Sequence, residues 1–158
     1  MKTRYKILIG VVIAGIFFYS IYLALFSKNH ASAPPATSSA VPTLSVPAQG
    51  GGEVQVNDFT KSPQQTLGDT LVIEQDNDYS IVYFTKDQSF LISILSTPVQ
   101  EVRIMAEQEL LSKLKIQEAD ACKLNVVLTV PAGVDENLAG RNYGLSFCPS
   151  GQAFPPGS

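Results

Sequence analysis

The run SFLISILSTPVQEVRIMAEQELLSKLK, residues 89–115, decides the fold because its apolar period changes partway along. Phe90, Ile92 and Ile94 stand two apart. Successive side chains of a strand point to opposite faces, so these three share one face. Beyond Ser96 the spacing lengthens. Val99, Val102, Ala106, Leu110 and Leu114 recur at three- and four-residue steps, with Leu111 beside them. That is the stripe of an amphipathic helix. Thr97 is placed to be the N-cap, Pro98 the first helical residue, and Gln100 the partner of Thr97 in a capping box. Glu101 in the first turn and Lys113 and Lys115 at the end complement the helix dipole. Arg103, Glu107 and Lys113 fall mostly on the side away from the stripe. A strand giving way to such a helix predicts a sheet with a helix laid across one face.

Working outward, Tyr79–Phe84 is a second β-branched and aromatic run, joined to the first through Thr85–Gln88. This reads as a hairpin, although the diagnostic Asn-Gly is missing. Leu71–Ile73 is a short strand candidate, followed by a turn at Gln75–Asp78, where Asn and Asp bond locally to the backbone. Downstream, Gln117–Ala121 reads as another turn of helix. Lys123–Val130 reads as a strand stopped by Pro131, Ala132–Asn142 as a polar loop, and Tyr143–Phe147 as a final strand. The expectation is an α+β domain over residues 70–149. It is a small two-layer antiparallel sheet in the order ββαββ with one main packed helix, followed by a flexible tail at 150–158.

Cys122 precedes one of these strands and Cys148 follows another. If the two strands are adjacent and antiparallel, the sulfurs are neighbours, so a disulfide is expected. A redox role would want a closely spaced pair and an activated thiolate, and neither is visible.

At the other end, residues 7–26 read ILIGVVIAGIFFYSIYLALF, without charge or proline. A helix of about twenty residues is roughly 30 Å long and matches the hydrocarbon core of a bilayer. We therefore expect a single transmembrane helix at 7–27. Lys2, Arg4 and Lys6 precede it, which predicts a cytoplasmic tail at 1–6 and a C-terminal domain that is periplasmic or extracellular. The inner membrane of a bacterium is the simplest setting. Ala31-Ser32-Ala33 offers a cleaved secretory signal as the alternative. The apolar run is longer than a signal core, however, and Pro34 follows the cleavage motif. Gly10 and Ala14 form a small-xxx-small pair that can bring two membrane helices together, or simply reflect how common both residues are there. Residues 28–69, rich in Pro, Ala, Ser and Gly, read as a disordered linker that carries the domain off the membrane.

The sequence offers little for catalysis. Its one histidine, His30, lies in the linker, so no Ser–His–Asp or Cys–His arrangement forms within the domain. There is no phosphate loop, and no catalytic residue, metal site or cofactor is assigned. The paired acids, such as Asp76 with Asp78, read as solvated turns and helix surface. A net charge of -3 and a pI near 5.0 give no basic patch for nucleic acid. Arg141, Asn142 and Tyr143, flanked by glycines, form a candidate recognition loop; the plainer reading is a loop whose glycines serve its turns.

The segments SIVYFTKDQSFLISIL, PVQEVRIMAEQELLSKL, EADACKL and AGRNYGLSFCP resemble small uncharacterised membrane-anchored exported proteins of candidate-phylum (Patescibacteria-like) bacteria. The resemblance covers about half the chain and implies a shared exported domain of unknown role. Such relatives carry Gly, as a helix C-cap, where Lys115 stands here. It transfers no site residue. Taken together, the residues predict a single-pass envelope protein that touches the lipid bilayer and binds an envelope protein or a cell-wall component. Two alternatives stand beside it. One is an accessory subunit of a secretion, pilus or division complex acting partly through its membrane helix. The other is an envelope enzyme using carboxylates or the Arg141 loop.

Overall fold

A computed structural model describes residues 42–155. The expected tail at 1–6, the membrane helix at 7–27 and the Gly10–Ala14 pair lie outside the described residues. Among the described residues, no helix is long and apolar enough to cross a membrane. The strands are β1 (Thr43–Pro47), β2 (Glu53–Asn57), β3 (Gln65–Leu67), β4 (Thr70–Gln75), β5 (Tyr79–Phe84), β6 (Ser89–Ile94) and β7 (Val126–Thr129). The helices are α1 (Val99–Leu114) and α2 (Glu118–Ala121), with a 3-10 turn at Phe59–Lys61. The fold is α+β, with one main helix on a small sheet, as the sequence predicts.

β3, β4, β5, β6 and β7 form one sheet in that order. The register explains its core. Leu71, Tyr83, Phe90 and Val126 lie in one row, and Ile81, Ile92 and Leu128 in the next. Both rows face α1, whose Val99, Val102, Ala106, Leu110 and Leu114 are buried. A bulge between Val72 and Glu74 breaks the alternation of β4. Leu71, Val72 and Ile73 are thus all buried.

Four expectations need correcting. First, β7 runs parallel to β6, not antiparallel. α1 carries the chain back along the sheet before β7 begins, and a strand–helix–strand crossover of this kind yields parallel neighbours. Second, Tyr143–Phe147 is not a strand. The Tyr143 N–H donates to the Leu128 carbonyl at 2.8 Å, and then Gly144, at φ +59°, turns the chain away from β7.

Third, the segment read as linker is structured from residue 42 onward. β1 and β2 pair antiparallel, with Leu44 opposite Val56 and Val46 opposite Val54. Val46, Val54 and Val56 are buried, and Gly50–Gly52, all at positive φ, make the turn between the strands. Phe59 then inserts edge-on against Tyr83 and Phe90, with centroids 5.0 and 5.7 Å away. Burial of these apolar groups offsets the entropy of ordering the chain. Fourth, the tail is docked as far as residue 155. The Gln152 N–H donates to the Tyr143 carbonyl at 2.8 Å, and the Phe154 ring meets the Tyr143 ring at 4.6 Å.

The ends of α1 also differ from expectation. Pro98, not Thr97, is the N-cap, and no side chain caps the helix. The Pro98 carbonyl instead accepts from the N–H groups of Glu101 and Val102. Lys115 closes the C-terminus in the left-handed conformation, φ 53° and ψ 46°, where glycine is the usual residue. Both its N–H and that of Ile116 donate to the Leu111 carbonyl.

Cys122 and Cys148 form the expected disulfide, with their Cα atoms 5.5 Å apart. It does not bridge two antiparallel strand ends. It joins the end of α2 to the turn after Leu145. In the chain-entropy view, closing the 26-residue separation is worth about 3.5 kcal/mol.

Candidate functional site

Where β2 ends, Asn57 and Asp58 carry the chain past the C-terminus of α1. The Asn57 side-chain amide donates to the Lys113 carbonyl at 3.1 Å, satisfying a terminal helix acceptor. The 3-10 turn then folds Phe59 inward and leaves Lys61 outside. A cleft of about 340 Å³ opens between this turn, β4 and the end of α1. Phe59 and Ile73 contribute apolar surface, and Asn57, Asp58, Lys61, Gln64 and Lys113 supply its polar groups. Its volume falls in the range of small-ligand pockets.

Charges of both signs line the cleft. Thr60 Oγ1 donates to Asp58 Oδ1 at 2.5 Å, and Lys61 Nζ lies 3.1 Å from Asp58 Oδ2. The Thr60 hydroxyl and then the Lys61 ammonium hold the Asp58 carboxyl below its ordinary pKa. Lys113 Nζ meets Glu74 Oε2 at 2.5 Å and Glu109 Oε1 at 3.5 Å. Its hydrogen bond to Glu74 raises its pKa. Gln64 Nε2 donates to Glu74 Oε1 at 2.5 Å. The arrangement sets ammonium groups, a carboxylate and an amide, each paired within the domain, around the nearly buried Phe59 and Ile73. Such a set suits a polar partner that carries both charges.

A second cluster escaped the sequence reading. Arg103 and Glu107, expected mostly on the side of α1 away from the stripe, are buried. Arg103 Nε donates to Glu107 Oε1 at 2.9 Å. Its Nη1 donates to the Gln152 carbonyl at 2.7 Å, and its Nη2 to the carbonyls of Tyr143 and Gly144. Glu107 in turn accepts from the Ser146 N–H at 2.6 Å and from the Ser146 hydroxyl. The guanidinium carbon sits 4.9 Å from the Phe154 ring centroid. These bonds fasten the C-terminal segment to α1. The signal was present, because an i,i+4 pair interleaved with Val102, Ala106 and Leu110 lies within the apolar stripe.

The structure divides the candidate recognition loop. Arg141 is exposed. Asn142 is exposed too, but its Oδ1 accepts from the Leu128 and Gly144 N–H groups and caps the edge of β7. Tyr143 is 2 % exposed, and its hydroxyl donates to the Leu138 carbonyl at 3.1 Å. Tyr143 is therefore a core residue and supplies no recognition surface. Among the described residues, no group of three or more His, Cys, Asp or Glu is placed to hold a metal ion. No protein family, curated protein or solved structure matches the chain.

Proposed function

We propose that the chain is a single-pass membrane protein whose disulfide-closed domain lies outside the cytoplasm and binds an envelope partner through the Phe59–Lys113 cleft. The observation that carries this reading is the cleft itself, with the Lys61–Asp58 pair at its rim above the nearly buried Phe59 and Ile73. Export draws support from the Cys122–Cys148 bond, which persists in oxidising compartments, and from the Lys and Arg flank before the apolar run. The buried ionisable pair, Arg103 and Glu107, is committed to protein partners and takes no part in this reading. The partner is an envelope protein or cell-wall component presenting an anion and a cation close together.

The test is chemical cross-linking of the tagged full chain in intact cells, comparing wild type with Lys61→Glu. The expected result is an envelope protein or wall fragment recovered with wild type and lost from Lys61→Glu, while Cys122 and Cys148 stay oxidised in both. Recovery unaffected by Lys61→Glu removes the cleft from the account. Free thiols at both cysteines in wild-type cells remove the extracytoplasmic location.

A further inference from the structure

Gln152 and Phe154 dock beside α1 as a peptide ligand docks on a receptor. The main chain of Gln152 is held on both sides. Its N–H donates to the Tyr143 carbonyl at 2.8 Å, and its carbonyl accepts from Arg103 Nη1 at 2.7 Å. Two residues on, the Phe154 ring stands at 75° to the Tyr143 ring and 4.9 Å from the Arg103 guanidinium carbon. Gln152 and Ala153 are themselves exposed. The docking therefore reads a main-chain unit at 152 and a ring at 154, and leaves the side chains at 152 and 153 unspecified.

The receiving side is held together without its occupant. With the segment lifted away, Arg103 keeps Glu107 through Nε and the carbonyls of Tyr143 and Gly144 through Nη2. Glu107 keeps the N–H and hydroxyl of Ser146. Tyr143 keeps the Leu128 carbonyl through its N–H and the Leu138 carbonyl through its hydroxyl. The Cys122–Cys148 bond still fixes the preceding turn. Lifting uncovers Arg103 Nη1, one lone pair of the Tyr143 carbonyl and the ring contact that Phe154 made. A permanent cationic donor, an acceptor and an aromatic contact then stand in fixed positions, which is the equipment for holding a peptide main chain and one anchor side chain.

We propose that this is a peptide-binding site masked in cis. Its ligand is a segment of a partner protein that carries Phe, Tyr or Trp two residues after the one whose main chain is held, and Gln152–Pro155 covers the site until displaced. Tyr143 offers no surface while Phe154 is docked, so the site exists only in the opened domain. An anchor beside a guanidinium favours an aromatic ring, Trp most of all, over an aliphatic side chain. The site is separate from the Phe59–Lys113 cleft and does not rest on the reading of that cleft.

The test titrates fluorescein-labelled peptides into the full chain in detergent, as wild type and as Phe154→Ala. One peptide is the chain's own SGQAFPPGS, the second is SGSAWSSGS, and the third is SGSAASSGS. The first two are expected to bind Phe154→Ala about tenfold or more tightly than wild type, whose site is open only part of the time. The third should bind neither protein. Binding of SGQAFPPGS alone overturns the partner assignment in favour of exchange between copies. No binding, or equal binding to both proteins, overturns the masked site. If Phe154→Ala fails to form the Cys122–Cys148 bond, Phe154→Trp carries the test, because the chain has no other Trp. Its indole fluorescence should become more open to acrylamide quenching as unlabelled SGQAFPPGS is added, and quenching that the peptide leaves unchanged overturns the proposal.

Discussion

Arg103 and Glu107, four residues apart on α1, form an ion pair at 2.9 Å with 1% and 4% of their side chains exposed. Dehydrating two charges costs several kcal/mol each, and the pair is tolerable only when further hydrogen bonds use the remaining donors and lone pairs. Here the guanidinium reaches three backbone carbonyls and the carboxylate accepts from Ser146. The pair ties the C-terminal segment, otherwise short of regular structure, to the helix.

It follows that Arg103→Met should be among the costliest single changes in the domain. It strands a buried carboxylate and removes the guanidinium from the carbonyls of Gln152 and Gly144, while that of Tyr143 keeps only the Gln152 N–H. The expected loss is about 3–5 kcal/mol, read as a lower urea midpoint. Replacing Glu107 as well, with Leu, should cost less than the two single changes added together, because neither charge is then abandoned. A loss below about 1 kcal/mol for Arg103→Met would fit an exposed pair and contradict the burial described.

Gly151 makes the second prediction. A Cβ at this position would sit 2.1 Å from the Leu145 carbonyl oxygen and 3.0 Å from that of Cys148. Both are backbone atoms in the turn that the disulfide pins, so neither yields easily. Gly151→Ala should destabilise by about 1–3 kcal/mol through overpacking. Gly133→Ala is the control, since nothing lies within 4 Å of its Cβ, and it should stay within about 0.5 kcal/mol of wild type. Equal thermal midpoints for the two variants would show that the close approach at Gly151 is absent.

What the sequence made legible was the part with a single dominant period. Phe90, Ile92 and Ile94, then Val99 through Leu114, announced a strand and a helix, and both lie there. The β1–β2 hairpin was hidden because Pro, Ala and Ser dominate the composition around it. Yet Leu44 and Val46, then Val54 and Val56, alternate on either side of three glycines, which is a hairpin pattern once composition is set aside. Arg103 and Glu107 were misplaced because residue type was weighed above helical position. The cleft was illegible for a different reason. Asp58 and Gln64 are far from Lys113 in the chain and meet it only after β2 and β4 pack beside the end of α1. The direction of β7 was recoverable from connectivity alone, since a helix between two neighbouring strands returns the chain to its starting edge.

Lys115 carries the third prediction. A side chain at φ 53° suffers a Cβ contact that glycine lacks. Lys115→Gly keeps the N–H donations to Leu111 and removes that strain, at the expense of a freer unfolded chain. The net gain should be about 0.5–1 kcal/mol, or a rise of several degrees in Tm for a domain of this size. Lys115→Val, with a β-branched side chain in the left-handed region, should move Tm the other way. A fall in Tm for the glycine variant would show that the helix does not end in this cap.

Alkaline pH supplies the fourth. Burial raises the pKa of Tyr83, and burial followed by the nearby Glu109 raises that of Tyr79. The hydrogen bond to Glu74 raises that of Lys113. All three have folded-state values above their unfolded ones, so their contribution is fully present below about pH 10. It is lost as pH climbs through the raised values, because the unfolded chain gives up these protons first. Urea midpoints should hold level from neutral pH to about pH 10 and then decline. Tyr83→Phe removes one of the three groups, so its decline above that pH should be shallower than that of wild type. An identical alkaline slope in Tyr83→Phe would mean that the Tyr83 hydroxyl ionises alike in both states, against its burial beside Phe59 and Phe90.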